Sequence, residues 1–248
     1  MNNIALACTL VFVAITTFIS MKQKLGLEKE IITGTIRSAV QLLFIGFLLH
    51  FIFETNHPIF IVLIIISMIT VASWNAGSRA LPVKGIRLRI ALALAGTEAV
   101  TLALLLSLRI IEAEPRYIIP VSGMIIGSSM IVCGLYLNHM KRELEASRGE
   151  IETLLALGAT TKQAIRQAVR RAVRSSLIPT LDGMKTVGLV QLPGMMTGMI
   201  VAGADPIEAV RYQILIVFAM SASSSLTSIV LSMLTMRLWF AKDNGRLL

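Results

Sequence analysis

Between Leu177 and Gln213 the chain reads LIPTLDGMKTVGLVQLPGMMTGMIVAGADPIEAVRYQ, an oily stretch broken by Pro179, Pro193 and Pro206, by five glycines and by Asp182 and Lys185. Irregular or charged backbone at membrane depth survives only where it is buried in protein or lines a watery path. The stretch therefore predicts a discontinuous helix beside a transport route, with Gln191, Pro193, Gly194 and Gly198 at the break. Asp182 precedes Lys185 by three residues, so both fall on one helical face. Arg37 and Lys185 lie at similar depth from the starts of their spans, which suggests a layer where Asp182 is shared by both. The alternative is that the two cations snorkel separately to the interface.

Other side chains could hold an ion. Glu98 sits near the middle of an apolar run beside Thr97 and Thr101, and an ionisable residue at that depth is a functional candidate. It could bind a cation or pair with Lys185. Met195 and Met196, with Met184 and Met199 nearby, offer thioethers that suit Cu(I) but serve equally as flexible packing. His50, Glu54 and His57 would share one helical face and could hold a borderline divalent metal, although interfacial histidines are more often structural. Cys8 and Cys133 show no metal or redox spacing and read as buried thiols. No phosphate-binding G-x-x-x-x-G-K-[ST] loop, H-E-x-x-H or G-x-S-x-G motif occurs. The serines at Ser221, Ser223, Ser224 and Ser225 lack a base and fit close helix packing better than catalysis.

The elements that must position these residues are membrane helices. Of 248 residues, 55% are hydrophobic and 15% charged, and the mean hydropathy is +0.78. A soluble domain of this size would carry about a quarter charged residues. The fold class is all-α and polytopic, one permease-like domain over residues 1–248. Seven spans are expected: Asn3 to Met21, Ile31 to Phe53, Pro58 to Asn75, Arg87 to Ile111, Tyr117 to Leu137, Leu177 to Ala202 and Ala209 to Arg237. The sixth could instead be re-entrant. The net charge of +9 lies in loops between spans, with no aromatic interleaving, which argues against nucleic acid. Basic loops alternate with neutral or acidic ones, placing the N-terminus outside and the C-terminus in the cytoplasm. Pro120–Gly127 and Leu192–Gly198 each join a proline to a G-x-x-x-G spacing, which suggests that the two segments pack together or form a decayed repeat.

Residues 138–176 form a long cytoplasmic segment with eight Lys/Arg and four Glu. Its acids come early and its bases late, which favours one helix or a pair, with a break at Gly158. Such a segment either lies solvated against lipid headgroups or docks a soluble partner.

Several stretches together carry a family resemblance: LGLEKEI from Leu25, Arg37 with VQL, SWNA from Ser73, IPVSGMIIG from Ile119, LALGAT from Leu155, and LIPTLD, KTVGLVQLPGMMTG and DP..A..YQI beyond Leu177. Over essentially its whole length the chain resembles the FetB-type permeases. These are membrane subunits of a bacterial ABC exporter linked to iron, with plant relatives linked to aluminium tolerance. The resemblance implies a permease homodimer in the inner membrane, paired with a separate cytosolic ABC ATPase that carries ATP and Mg. This chain would bind no cofactor itself. It adds Gln41 and Asn75 to the transport path and makes Glu152, Leu157, Gly158, Ala159 and Thr160 the ATPase-docking element. That element keeps the Glu-to-Gly spacing of import permeases but lacks their paired alanines. A permease for a non-metal cargo, and a scaffold or signalling subunit without transport, remain as alternatives.

Overall fold

The computed structural model describes residues 3–55, 58–78 and 85–240, and in them the chain is helical. It divides into two compact units, residues 1–57 and 58–248. The first unit is a hairpin of α1 (Asn3–Lys22) and α2 (Glu28–Thr55). Its turn is fixed by Ser20, whose hydroxyl donates to Glu28 Oε1 at 2.9 Å and accepts from the Leu27 amide at 3.4 Å.

The second unit is built round α5 (Pro115–Ala146), which packs against α3 (Pro58–Gly77), α4 (Ile86–Ser107), α8 (Arg166–Thr186) and α10 (Pro206–Thr235). Between α5 and α8 come α6 (Arg148–Ala156) and the single turn α7 (Thr161–Ala164); α9 (Gly194–Val201) lies between α8 and α10. A 3-10 turn, Met236–Trp239, ends the described chain. Cys133, Tyr136, Leu137 and Met140 of α5 are buried against Ile90 and Leu94 of α4 and Ala168 and Ala172 of α8. The small alanines let the α8 and α5 backbones approach closely. Cys133 is a buried free thiol, as its position predicts.

Polar pairs hold the same helices together. Thr97 and Thr227 hydroxyls lie 2.7 Å apart, Ser176 and Ser228 3.1 Å, and Tyr136 and Thr235 3.2 Å. Ser224 donates to Ser128 at 3.1 Å, while Ser129 and Ser223 are 3.4 Å apart. The serine cluster of α10 is thus an interhelical zipper, which satisfies hydroxyls where lipid could not.

Five of the described helices are long and apolar enough to cross a membrane: Glu28–His50 within α2, then α3, α4, α5 and α10. The protein is therefore a multi-pass membrane protein. The expectation of seven spans is not met in this form. In α1 the described apolar part, Thr9–Lys22, is shorter, and the sixth span is not one helix at all. It divides into the end of α8, an irregular loop and the short α9. A hydropathy run measures oiliness over a length; it does not register that Pro179 has no N–H for the Ser175 carbonyl, that Gly188 marks the end of α8 or that Pro193 opens α9. The charged segment 138–176 also starts inside a helix, because α5 runs on to Ala146 before α6 begins.

Candidate functional site

Helix α8 changes character at Pro179. Its buried residues, Ala168, Val169, Ala172 and Ser176, all precede that proline and follow a helical spacing that faces the core. From Leu177 to Glu208 no residue is buried. The loop after α8 is tight: Thr186 carbonyl accepts from the Leu189 and Val190 amides at 3.2 and 2.9 Å, and the Gly188 amide donates to the Gln191 carbonyl at 2.9 Å. Gly188 has φ +86°, a left-handed conformation that a side chain would strain. Pro193 then caps α9 in an extended conformation. Asp205 restarts the helix as N-cap of α10, accepting from the Ile207 and Glu208 amides at 2.8 and 3.2 Å, with Pro206 in the first helical position.

This break forms two adjoining cavities of about 530 and 480 Å³. Met184, Val187, Pro193, Gln213 and Val217 line both. The larger one also meets α5 at Met124 and Ser128, α9 at Gly194 and Met195, and α10 at Met220. The smaller one reaches Met196. Neither lining contains a charged side chain, a histidine or a cysteine. Gln213 is 8% exposed, and its Oε1 has no hydrogen-bond partner among the described residues.

Of the residues expected on the transport path, Gln191, Pro193 and Gly194 line the larger cavity; Met195 does too, and Met196 lines the other. Gly198 lies on α9, none of whose residues is buried. Asp182 and Lys185 pair at 3.1 Å on an exposed face, side chains 60% and 74% accessible, and do not enter the cavities. Arg37 and Gln41 are exposed positions of α2, in the other unit, and Asn75 is exposed near the end of α3. His50 is on α2; the Glu54 side chain and His57 lie outside the described residues. Among the described residues no three His, Cys, Asp or Glu side chains come together as a metal site.

The expected packing of the two G-x-x-x-G segments is not formed. A Cβ at Gly123 would meet Met68 of α3 at 3.7 Å, and nothing lies within 4 Å of that position at Gly194 or Gly198. The two segments instead contribute to opposite elements of one cavity, through Met124 and Ser128 on α5 and Gly194 and Met195 on α9.

Glu98 is buried in α4 away from both cavities. Both its carboxylate oxygens and the Ser122 Oγ of α5 are buried without a hydrogen-bond partner among the described residues. Sequence reasoning gave Gln213 no role in the path. Its signal was available: Gln213, Val217, Met220 and Ser221 recur at i, i+4, i+7 and i+8 on one helical face.

In the charged segment, α6 ends in a Schellman turn. Ala159 and Gly158 amides donate to Leu154 and Leu155 carbonyls, each at 3.0 Å, and Gly158 adopts φ +87°. Thr160 then opens α7 with a capping box: its amide donates to Gln163 Oε1 at 2.9 Å, and its hydroxyl accepts from the Gln163 amide at 3.4 Å. Glu152 pairs with Arg148 at 2.9 Å. Between them Leu157 projects 79% exposed, an apolar knob beside a rigid turn. Arg171 of α8 ties this region to the end of α5 through Glu143 at 2.6 Å and Ser147 at 2.8 Å.

The model of a family described as Uncharacterised protein family (UPF0014) matches residues 3–240. The chain is 49% identical to the UPF0014 membrane protein YjkA of Bacillus subtilis, over 95% of this chain and 94% of that one. It is 37% identical to a protein of Escherichia coli named "Probable iron export permease protein FetB", over 96% and 92% of the two chains. It is 39% identical to the protein ALUMINUM SENSITIVE 3 of Arabidopsis thaliana, over 95% and 86%. No solved structure matches.

Proposed function

This chain belongs to the UPF0014 family, and from that premise and the cavity at the α8–α9 break we propose that it is the membrane permease subunit of an ATP-driven exporter. The proposed cargo is iron or another metal leaving the cytoplasm. The name of the Escherichia coli relative supports the export reading; the sequence holds no G-x-x-x-x-G-K-[ST] loop, and in this proposal ATP and Mg are carried by a separate cytosolic ATPase. Two copies of the permease would pair with two of that ATPase in the cell membrane, N-termini outside and C-termini in the cytoplasm.

The observation that carries the proposal is the coincidence of broken helix and cavity. Discontinuous helices beside a cavity are where transporters place their binding sites, because freed backbone groups there meet protein or water and not lipid. The rigid turn at Gly158, with Leu157 exposed beside it, is the proposed contact with the ATPase. Through α7, which packs on both α6 and α8, the turn is linked to the helix whose last turns line the cavity, so movement of the turn would reach the cavity wall.

The test is co-reconstitution with the ATPase in liposomes and a panel of metal ions, each supplied both free and as a neutral chelate. The proposal requires metal movement that depends on ATP and on the ATPase. Transport that persists with neither would refute it. For docking, Gly158→Trp is expected to abolish co-purification of the ATPase while membrane insertion is kept. Normal co-purification would remove the turn from the interface.

A further inference from the structure

The lining of the larger cavity says what kind of cargo it suits. A bare metal ion is smaller than one water molecule, whose share of liquid volume is about 30 Å³. The cavity is about 530 Å³, within the range of pockets that hold organic ligands. A bare Fe(II) or Fe(III) ion entering it would meet walls with no carboxylate, imidazole or thiolate to replace its water ligands. The methionines offer soft sulfur, but Met124, Met184, Met195 and Met220 are spread over four elements round a space far larger than one ion. Thioether side chains so arranged form an adaptable apolar wall. One polar group breaks that wall: Gln213, nine-tenths buried, with Oε1 unpartnered and lining both cavities. A buried carbonyl without a donor is costly, and a cargo donor would relieve that cost.

We propose that this cavity takes an uncharged organic molecule close to its own size, either free or wrapped round a metal ion, and that a donor on this molecule bonds Gln213 Oε1. This rests on the cavity being the permease path and narrows the cargo from a bare ion to a neutral one. Two kinds of source share that chemistry: a neutral metal chelate and a metal-free amphiphile.

The experiment is equilibrium binding to the full-length chain in lipid nanodiscs, with no nucleotide and no ATPase. It therefore reads the cavity, whereas the reconstituted transport described above reads the exporter. The probes are tris(kojato)iron(III), neutral and bearing hydroxymethyl donors; tris(maltolato)iron(III), neutral and of similar size without them; iron-free kojic acid; and aqueous Fe(II) and Cu(I). Saturable binding of the kojate complex is expected, about tenfold tighter than the maltolate complex, the worth of one hydrogen bond. Gln213→Leu should erase that preference while leaving maltolate binding and the melting temperature in place. Thr180→Trp, which fills the cavity from α8, should abolish both. If kojic acid binds more tightly than its iron complex, the cargo is the metal-free molecule; if less, the chelate. Either order supports a neutral cargo. The proposal fails if Fe(II) or Cu(I) saturates the site while the neutral complexes do not bind, or if Gln213→Leu leaves the kojate preference unchanged. It fails equally if no probe binds and Gln213→Leu shifts the chain between monomer and dimer, since a second copy would then fill the cavity.

Discussion

Helix α8 runs unbroken through Pro179, yet its surroundings differ on either side of that residue. Before the proline, Ala168, Ala172 and Ser176 are buried against α5 and α10, and Ser176 finds its hydroxyl partner in Ser228 at 3.1 Å. After it nothing is buried, Thr180, Gly183 and Met184 line a cavity, and the nearby amide of Gln213 is left without a partner for Oε1. The first half is close-packed on its buried face, and the buried Ser176 hydroxyl is paired. The second departs from both habits, and in an otherwise consistent chain such departures mark functional sites. One proline separates scaffold from site.

The contrast breaks most readily by overfilling each half in turn. Ala172 has no exposed surface, so Ala172→Phe should force a rearrangement costing about 1–3 kcal/mol or more. A fall in melting temperature of about 2–4 °C for each kcal/mol is expected. Thr180→Phe, two turns further along the same helix, should melt close to wild type, because the added ring enters open space. Equal losses in thermal unfolding would mean that the two halves do not differ.

A smaller effect sharpens the scaffold side. Thr97→Val leaves the Thr227 hydroxyl without its interhelical partner and should cost about 1 kcal/mol. Thr227→Val should cost a similar amount, and the double variant less than the sum of the two. Additive losses in a double-mutant cycle would show that the pair carries no energy.

The smallest effect falls on Asp182. Among the described residues its ion pair is with Lys185 on an exposed face, a geometry worth about 0.2–0.5 kcal/mol, so Asp182→Asn should leave melting almost unchanged. A large loss would bring back the charge layer shared with Arg37 that the sequence suggested.

How much the sequence could tell depended on the kind of signal. The long apolar helices were readable because oil over twenty residues has few other uses, and their bounds fall near α2 to α5 and α10. The break was readable as well, since prolines and glycines act locally: Gly188 turns left-handed just past the end of α8, and Pro193 opens α9. Hydropathy alone draws span six as one crossing from Leu177 to Ala202, because it sums over a window and ignores the missing N–H of a proline; the prolines and glycines are what predict the discontinuity. Gln213 was given no role because one amide in an apolar helix suits packing as well as function. Only the tertiary arrangement shows that its carbonyl is unpaired and faces a cavity. Glu98 drew attention by its depth, yet depth alone did not say that it would lie apart from the cavities.

The account depends most on the claim that the surface exposed after Pro179 lines an aqueous route while the close-packed core beside it, which includes Ser223 of α10, is sealed. Thiol labelling in membrane vesicles addresses this directly. In a background without Cys8 and Cys133, single cysteines at Met195 and at Ser223 would be exposed to a charged, water-soluble thiol reagent. Rapid modification of Met195→Cys, altered when nucleotide is added with the ATPase, beside an inert Ser223→Cys, is the expected result. An unreactive cysteine at Met195, or equal reactivity at both positions, would contradict it.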